Sequence, residues 1–192
     1  MKWCQTRNMS DYVLSHTVVM IGMMGAGKTA VGTAVARILG VPFLDSDLEI
    51  ETAANESIAE IFEQYGEAFF REKEALVIRR LLEGAPCILS TGGGAFLRSD
   101  NREMIARKGL AVWLKVDLDL LWARVKHKNT RPLLRVPNPR ETLSELLAAR
   151  TPSYAKAGLV VEADGTYSVE DMAAKVIDAL LAHPSGILKK VA

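Results

Sequence analysis

Two hydrophobic periods alternate along the chain. Apolar runs at residues 17–21, 41–44, 87–91, 110–116 and 159–161 are short and continuous, and most are rich in β-branched residues. Their length and lack of helical spacing predict buried strands. Between them, apolar positions recur every three or four residues. Val31, Val35, Ile38 and Leu39 mark a helix over residues 29–39, closed by Gly40. A second starts at Asp47 with Leu48, Ile50 and Ala54. Ser57 and Glu60 form a capping box that opens a third, carrying Ile61, Phe62 and Tyr65 up to a break at Gly66. Further helices are predicted over 67–82, 99–107, from Asp117 to beyond Val125, 141–150 and 168–181, with Thr151, Pro152, Ser153 and Tyr154 interrupting the 141–150 segment at its end. This β-α alternation predicts the α/β class: three layers, α/β/α, around a mainly parallel five-stranded sheet.

That pattern assigns one domain to residues 16–182. Residues 1–15 are mixed and polar and are expected to be a disordered leader without the apolar centre of a signal peptide; residues 183–192 are expected to be a tail. Residues 126–139 are basic and broken by Pro132, Pro137 and Pro139, so they offer little to a core and read as a mobile lid. A length of 192 residues with 49% hydrophobic and 24% charged content suits a single globular domain. The net charge of +1 provides no general field for nucleic acid or an acidic membrane, and neither partner is expected. No apolar run approaches the ~18–20 residues of a membrane span. Cys4 and Cys87 lie in unlike settings, which argues against a disulfide and fits a reducing cytoplasm.

The chemistry concentrates in three loops that each follow a predicted strand. Gly22, Gly27, Lys28 and Thr29 make the pattern G-x-x-x-x-G-K-[ST], a P-loop, which places the domain in the P-loop NTPase fold. Glycines at 22, 25 and 27 let successive backbone N–H groups face a phosphate chain, and the helix that starts near Lys28 adds its positive end. Gly25, Ala26, Gly27, Lys28, Thr29 and Ala30 are therefore the expected ATP-binding stretch. Lys28 is placed for the β/γ-phosphates and the Thr29 hydroxyl for Mg²⁺. Asp45 and Asp47 follow the second strand; one suits Mg²⁺ and the other suits acceptance of a proton from an attacking hydroxyl, though either also suits a helix N-cap. Gly92, Gly93 and Gly94 follow the third strand and allow a substrate close to the backbone. Around the lid, Arg131 can meet the transferring phosphoryl group and Arg124 can lie flat on adenine. Arg71 and Arg150 lie outside the lid, and two extra guanidinium groups point to an acceptor that carries its own anion. His16, His127 and His183 show no metal-ligand spacing.

Together these motifs resemble the shikimate kinase family, small P-loop kinases of the nucleoside-monophosphate-kinase type. The resemblance spans residues 17–181. It is carried by the P-loop, Leu44-Asp45-Ser46-Asp47, Phe70-Arg71, the 92–94 glycines, Arg131-Pro132-Leu133-Leu134 and Arg150-x-Pro152-x-Tyr154. It implies transfer of a phosphoryl group from ATP to the 3-hydroxyl of shikimate, a step towards chorismate and the aromatic amino acids, by a cytoplasmic monomer. It also implies roles for single residues. Asp47 would bind the acceptor hydroxyls and act as base, and Asp45 with Thr29 would hold Mg²⁺. Arg71, Gly92, Gly93, Gly94 and Arg150 would hold shikimate, the arginines gripping its carboxylate, within walls made by Phe62 and Phe70. Arg124 would stack on adenine. Lys28 and Arg131 would contact the phosphates, with residues 46–82 as the substrate-binding segment. Two other functions share the P-loop: a kinase for another small anionic polyol such as gluconate, and a nucleotide-dependent switch protein. The paired acids and extra arginines argue against the switch.

Overall fold

The computed structural model describes residues 11–127, 132–134 and 136–191. In chain order, β1 (Tyr12–Leu14) and β2 (Thr17–Ile21) lead into α1 (Lys28–Leu39), followed by β3 (Phe43–Asp45), α2 (Ser46–Ala54) and α3 (Ile58–Leu82). Next come β4 (Ile88–Ser90), a 3-10 turn (Ala95–Leu97), α4 (Ser99–Lys108), β5 (Gly109–Lys115) and α5 (Leu118–Val125). A second 3-10 turn (Pro132–Leu134), α6 (Pro139–Tyr154), β6 (Leu159–Glu162), α7 (Val169–Ala182) and β7 (Leu188–Lys190) complete the order.

Five strands form one sheet in the order β3-β4-β2-β5-β6, with every pairing parallel. All five residues of β2 are buried, as a central parallel strand covered on both faces requires. Helices flank the sheet, with α1 packed against α7 and α3 against α4. One continuous core runs from Val18 and Val19 through Leu89, Val112 and Leu121 to Val176 and Leu180. A smaller cluster of Ile50, Ile61 and Phe70 joins α2 to α3. The chain begins the sheet at β2, builds β3 and β4 on one side, and then crosses to β5 and β6 on the other. The C-terminal end of β2 is thus where strand order reverses, the usual ligand crevice of an open α/β sheet.

Several expectations change. Residues 12–14 are not disordered: β1 pairs antiparallel with β7, so leader and tail clasp each other, with Leu14 facing Leu188. A three-residue strand is too short for any period to show. Helix α6 does not stop at Pro152 but runs through it to Tyr154. Proline removes one backbone donor there, near the helix end, while Tyr154 is fully buried and anchors the last turn. The break at Gly66 is a kink inside α3, with φ 80 and ψ 172, rather than a gap between two separate helices.

Candidate active site

The three loops converge. Gly25 to Val31, Asp45, Asp47, Ser90 to Gly93 and Arg124 line one cavity of about 540 Å³ at the C-terminal ends of β2, β3 and β4. A shallower groove of about 590 Å³ between α5 and α6, lined by Leu118, Trp122, Pro137 and Pro139 among others, holds none of these groups.

Gly27 is the N-cap of α1 at φ 93, a left-handed conformation that glycine adopts without penalty. Gly27 has no side chain to cap this helix, whose positive end suits an anion. The Lys28 Nζ arches back over the loop and donates to the carbonyls of Gly22 (2.9 Å) and Met23 (3.0 Å). From α5, Arg124 Nη1 donates to Gly25 O and Ala26 O at 3.3 and 3.4 Å, holding the guanidinium against the same loop.

Asp45 does two jobs at once. One carboxylate oxygen accepts from the Asp47 N–H (3.0 Å) and caps α2. The other accepts from the Thr29 hydroxyl at 3.4 Å. Those two oxygens from β3 and α1 suit a magnesium ion that draws its remaining ligands from phosphate and water. Among the described residues no group of three or more His, Cys, Asp or Glu side chains could hold a metal unaided. Asp47 is different: its Oδ1 is buried and has no hydrogen-bond partner among the described residues. Burial first, and then the Asp45 carboxylate, push its pKa up to about 6, against the pull of Lys28 and Arg71. It is therefore a more basic carboxylate than usual, and one still ionised at neutral pH.

Residues 92–94 also adjoin a second cluster. Arg71, on α3, donates to Glu67 (3.1 and 3.2 Å) and to Glu74 (2.9 Å), and lies 5.1 Å from the Phe70 ring centre. The Phe70 and Phe62 rings stack at 4.7 Å. Tyr154 donates to Gly93 O at 2.6 Å, with Arg150 beside it. Burial raises the Tyr154 phenol, so it remains a donor.

A family model described as shikimate kinase matches residues 24–181. The chain belongs to the shikimate kinase family. It is 66% identical to the shikimate kinase of Cereibacter sphaeroides over 89% of this chain and 85% of that one. Among solved structures, the shikimate kinase of Acinetobacter baumannii in complex with shikimate superposes with a TM-score of 0.83 at 38% identity, covering 88% and 94% of the two chains. A gluconokinase from Sinorhizobium meliloti covers 87% and 92% at 17% identity, TM-score 0.54, and is a likeness of fold alone.

The structure brings most of the residues expected from the sequence into two clusters that share one turn. Gly25, Ala26, Gly27, Lys28, Thr29, Ala30, Asp45, Asp47, Gly92, Gly93 and Arg124 line the P-loop cavity; Phe62, Phe70, Arg71, Gly94 and Arg150 do not line it. Of these, Arg71 and Arg150 touch the shared turn at Gly94 and Gly93. Arg131 lies outside the described residues, as do residues 128–130 and Arg135 of the expected lid. Two groups were missed. Glu74 is wholly buried between Arg71 and Asp47, where burial above all raises its pKa, and its Oε1 has no partner among the described residues. Its spacing from Arg71 reads only as a helix-surface ion pair. Tyr167, Ser168, Val169 and Met172 also line the P-loop cavity, from the start of α7. Nothing in their residue types announces a nucleotide.

Proposed function

We propose that this kinase transfers the γ-phosphoryl group of ATP to the 3-hydroxyl of shikimate, giving ADP and shikimate 3-phosphate. The observation that carries this reading is the shared turn at residues 92–94. Gly92 and Gly93 line the phosphate cradle with the Asp47 carboxylate, and the Arg150 and Arg71 guanidinium groups stand beside Gly93 and Gly94. The loop N–H groups and Lys28 take the β- and γ-phosphates, and the base lies between Arg124 and the start of α7. Thr29 and Asp45 would hold Mg²⁺, which when bound offsets charge on the phosphate oxygens. The acceptor carboxylate pairs with Arg71 and Arg150, whose planar forks match its two oxygens. Its ring lies against Phe62 and Phe70. That grip presents a hydroxyl to Asp47, which accepts the proton as the phosphoryl group arrives, and Arg131 meets the charge on that group.

Phosphoryl transfer needs positioning more than covalent help. Tethering the acceptor by its carboxylate, away from the reacting oxygen, provides that positioning. A cytoplasmic monomer is part of the same reading; the free, buried Cys87 suits a reducing compartment. The test is ADP release from ATP and Mg²⁺ with shikimate, with gluconate, or with neither. Release that depends on shikimate alone is expected; release with gluconate at a similar rate would overturn the assignment.

A further inference from the structure

The backbone does not demand glycine at residues 92–94. None of the three has a positive φ, and Gly94, at φ −92 and ψ −19, has a conformation open to any residue. Their lack of side chains answers to space instead. A Cβ on Gly94 would stand 2.6 Å from both Nη1 and Nη2 of Arg71 and 2.7 Å from its Cζ. On Gly93 it would stand 3.2 Å from Arg150 Nη1. On Gly92 it would meet Asp47 Oδ1 at 2.8 Å and Glu74 Oε1 at 3.3 Å.

We propose that the three glycines are seats for the enzyme's own charged groups: Gly92 for the Asp47 and Glu74 carboxylates, Gly93 for Arg150 and Gly94 for Arg71. The turn thereby sets where base and guanidinium forks stand before any acceptor arrives. The sequence alone assigns these glycines to close approach by substrate, and that assignment makes a different prediction. Arg71 cannot withdraw freely from an added methyl group. Its guanidinium is tied to Glu67 and Glu74, and Glu74 is wholly buried. Displacing it breaks charge-assisted hydrogen bonds and turns the fork away from its bidentate geometry. A seat acts through the residue it seats, so its effect must vanish when that residue is gone.

The inference rests on Arg71 and Arg150 being acceptor-binding groups, and the experiment separates the two ideas. Gly94→Ala is compared in the parent and in Arg71→Ala, reading shikimate KM and Kd, ATP KM and Tm. In the parent, shikimate KM should rise about tenfold, with ATP KM within twofold. In Arg71→Ala, adding Gly94→Ala should change shikimate Kd less than twofold. An equal tenfold loss in both backgrounds, or none in the parent, overturns the seat. If Arg71→Ala alone leaves shikimate KM within twofold, the acceptor role of Arg71 fails. Stability then decides the seat: a Tm loss from Gly94→Ala confined to the parent supports it, and an equal loss in both backgrounds overturns it. Gly93→Ala with Arg150→Ala repeats the cycle, and it decides the matter if Gly94→Ala does not fold.

Discussion

At Lys28 the ammonium rests on the carbonyls of Gly22 and Met23, poised over the loop whose N–H groups would cradle phosphate. It contributes charge at the site rather than packing. Lys28→Ala should therefore lower kcat by about 10²–10³, the usual cost of removing one preorganised electrostatic group, while Tm moves little. Steady-state kinetics beside a melting curve check both halves. Asp47 carries the opposite trade. With its pKa raised from 3.8 to about 6, the native state binds a proton that the unfolded chain has released between those values. Stability accordingly falls as pH rises from about 4 to about 6, and stays lowered above. Asp47→Asn should lower kcat by about 10²–10⁴. It should also stabilise the substrate-free protein by on the order of 2 kcal/mol above pH 6, with the gain fading near pH 4. Melting curves at the two pH values measure this, and an equal gain at both would contradict burial as the cause. The residues at strand ends were legible because the P-loop and the D-x-D spacing carry their chemistry in residue type. Glu74 and Tyr167 were not, since one looks like a surface ion pair and the other arrives from a distant loop.

Among the elements, the central strands β2, β4 and β5 were legible because their residues are apolar on both faces, and this is what a covered parallel sheet leaves in a sequence. Helix ends were legible where a side chain caps them, as Ser57 with Glu60 and Ser168 with Asp171 do. Pro152 misled, because a tertiary anchor, Tyr154 on Gly93, outweighs a local breaker. In α3 the kink at Gly66 separates the turns bearing Ile61 and Phe62 from those bearing Phe70, Arg71 and Glu74. At φ 80 and ψ 172 only glycine rests without strain, and a Cβ there would meet nothing within 4 Å. Any cost of Gly66→Ala is therefore the backbone's own, about 1–3 kcal/mol, or roughly 3–10 °C in Tm for a chain of this size. If the helix instead straightens to relieve the strain, the 4.7 Å stack of Phe62 on Phe70 is disturbed. Shikimate KM then rises a few-fold with ATP KM unchanged. A variant with parental Tm and parental shikimate KM would remove Gly66 from the design of the acceptor side.

At the scale of the molecule, the clasp of β1 on β7 ties the segment that enters the sheet to the segment that leaves α7. Its register sets Tyr12 against Lys190 and Leu14 against Leu188. Ser15 N–H and hydroxyl both donate to Ile187 O, at 2.9 and 3.1 Å, extending the junction towards β2. The two strands are not merely a surface ornament, because Leu14, Ile187 and Leu188 all belong to the main core. Yet the P-loop follows the far, C-terminal end of β2, so the clasp touches the opposite end of that strand from the chemistry. Stability and catalysis should separate here. Leu188, only 2% exposed, loses its packing in Leu188→Ala, which should cost about 2–4 kcal/mol with the cavity it leaves. Val13, 54% exposed on the partner strand, should change stability by no more than about 0.5 kcal/mol on substitution with Ala. Shikimate KM, ATP KM and kcat should stay near parental values in both variants at a temperature where each remains folded. Urea unfolding gives the first pair of numbers and kinetics the second. If Leu188→Ala raised either KM while leaving stability intact, the clasp would be coupled to the site through β2. Leader and tail would then be part of the catalytic apparatus rather than of the fold that carries it.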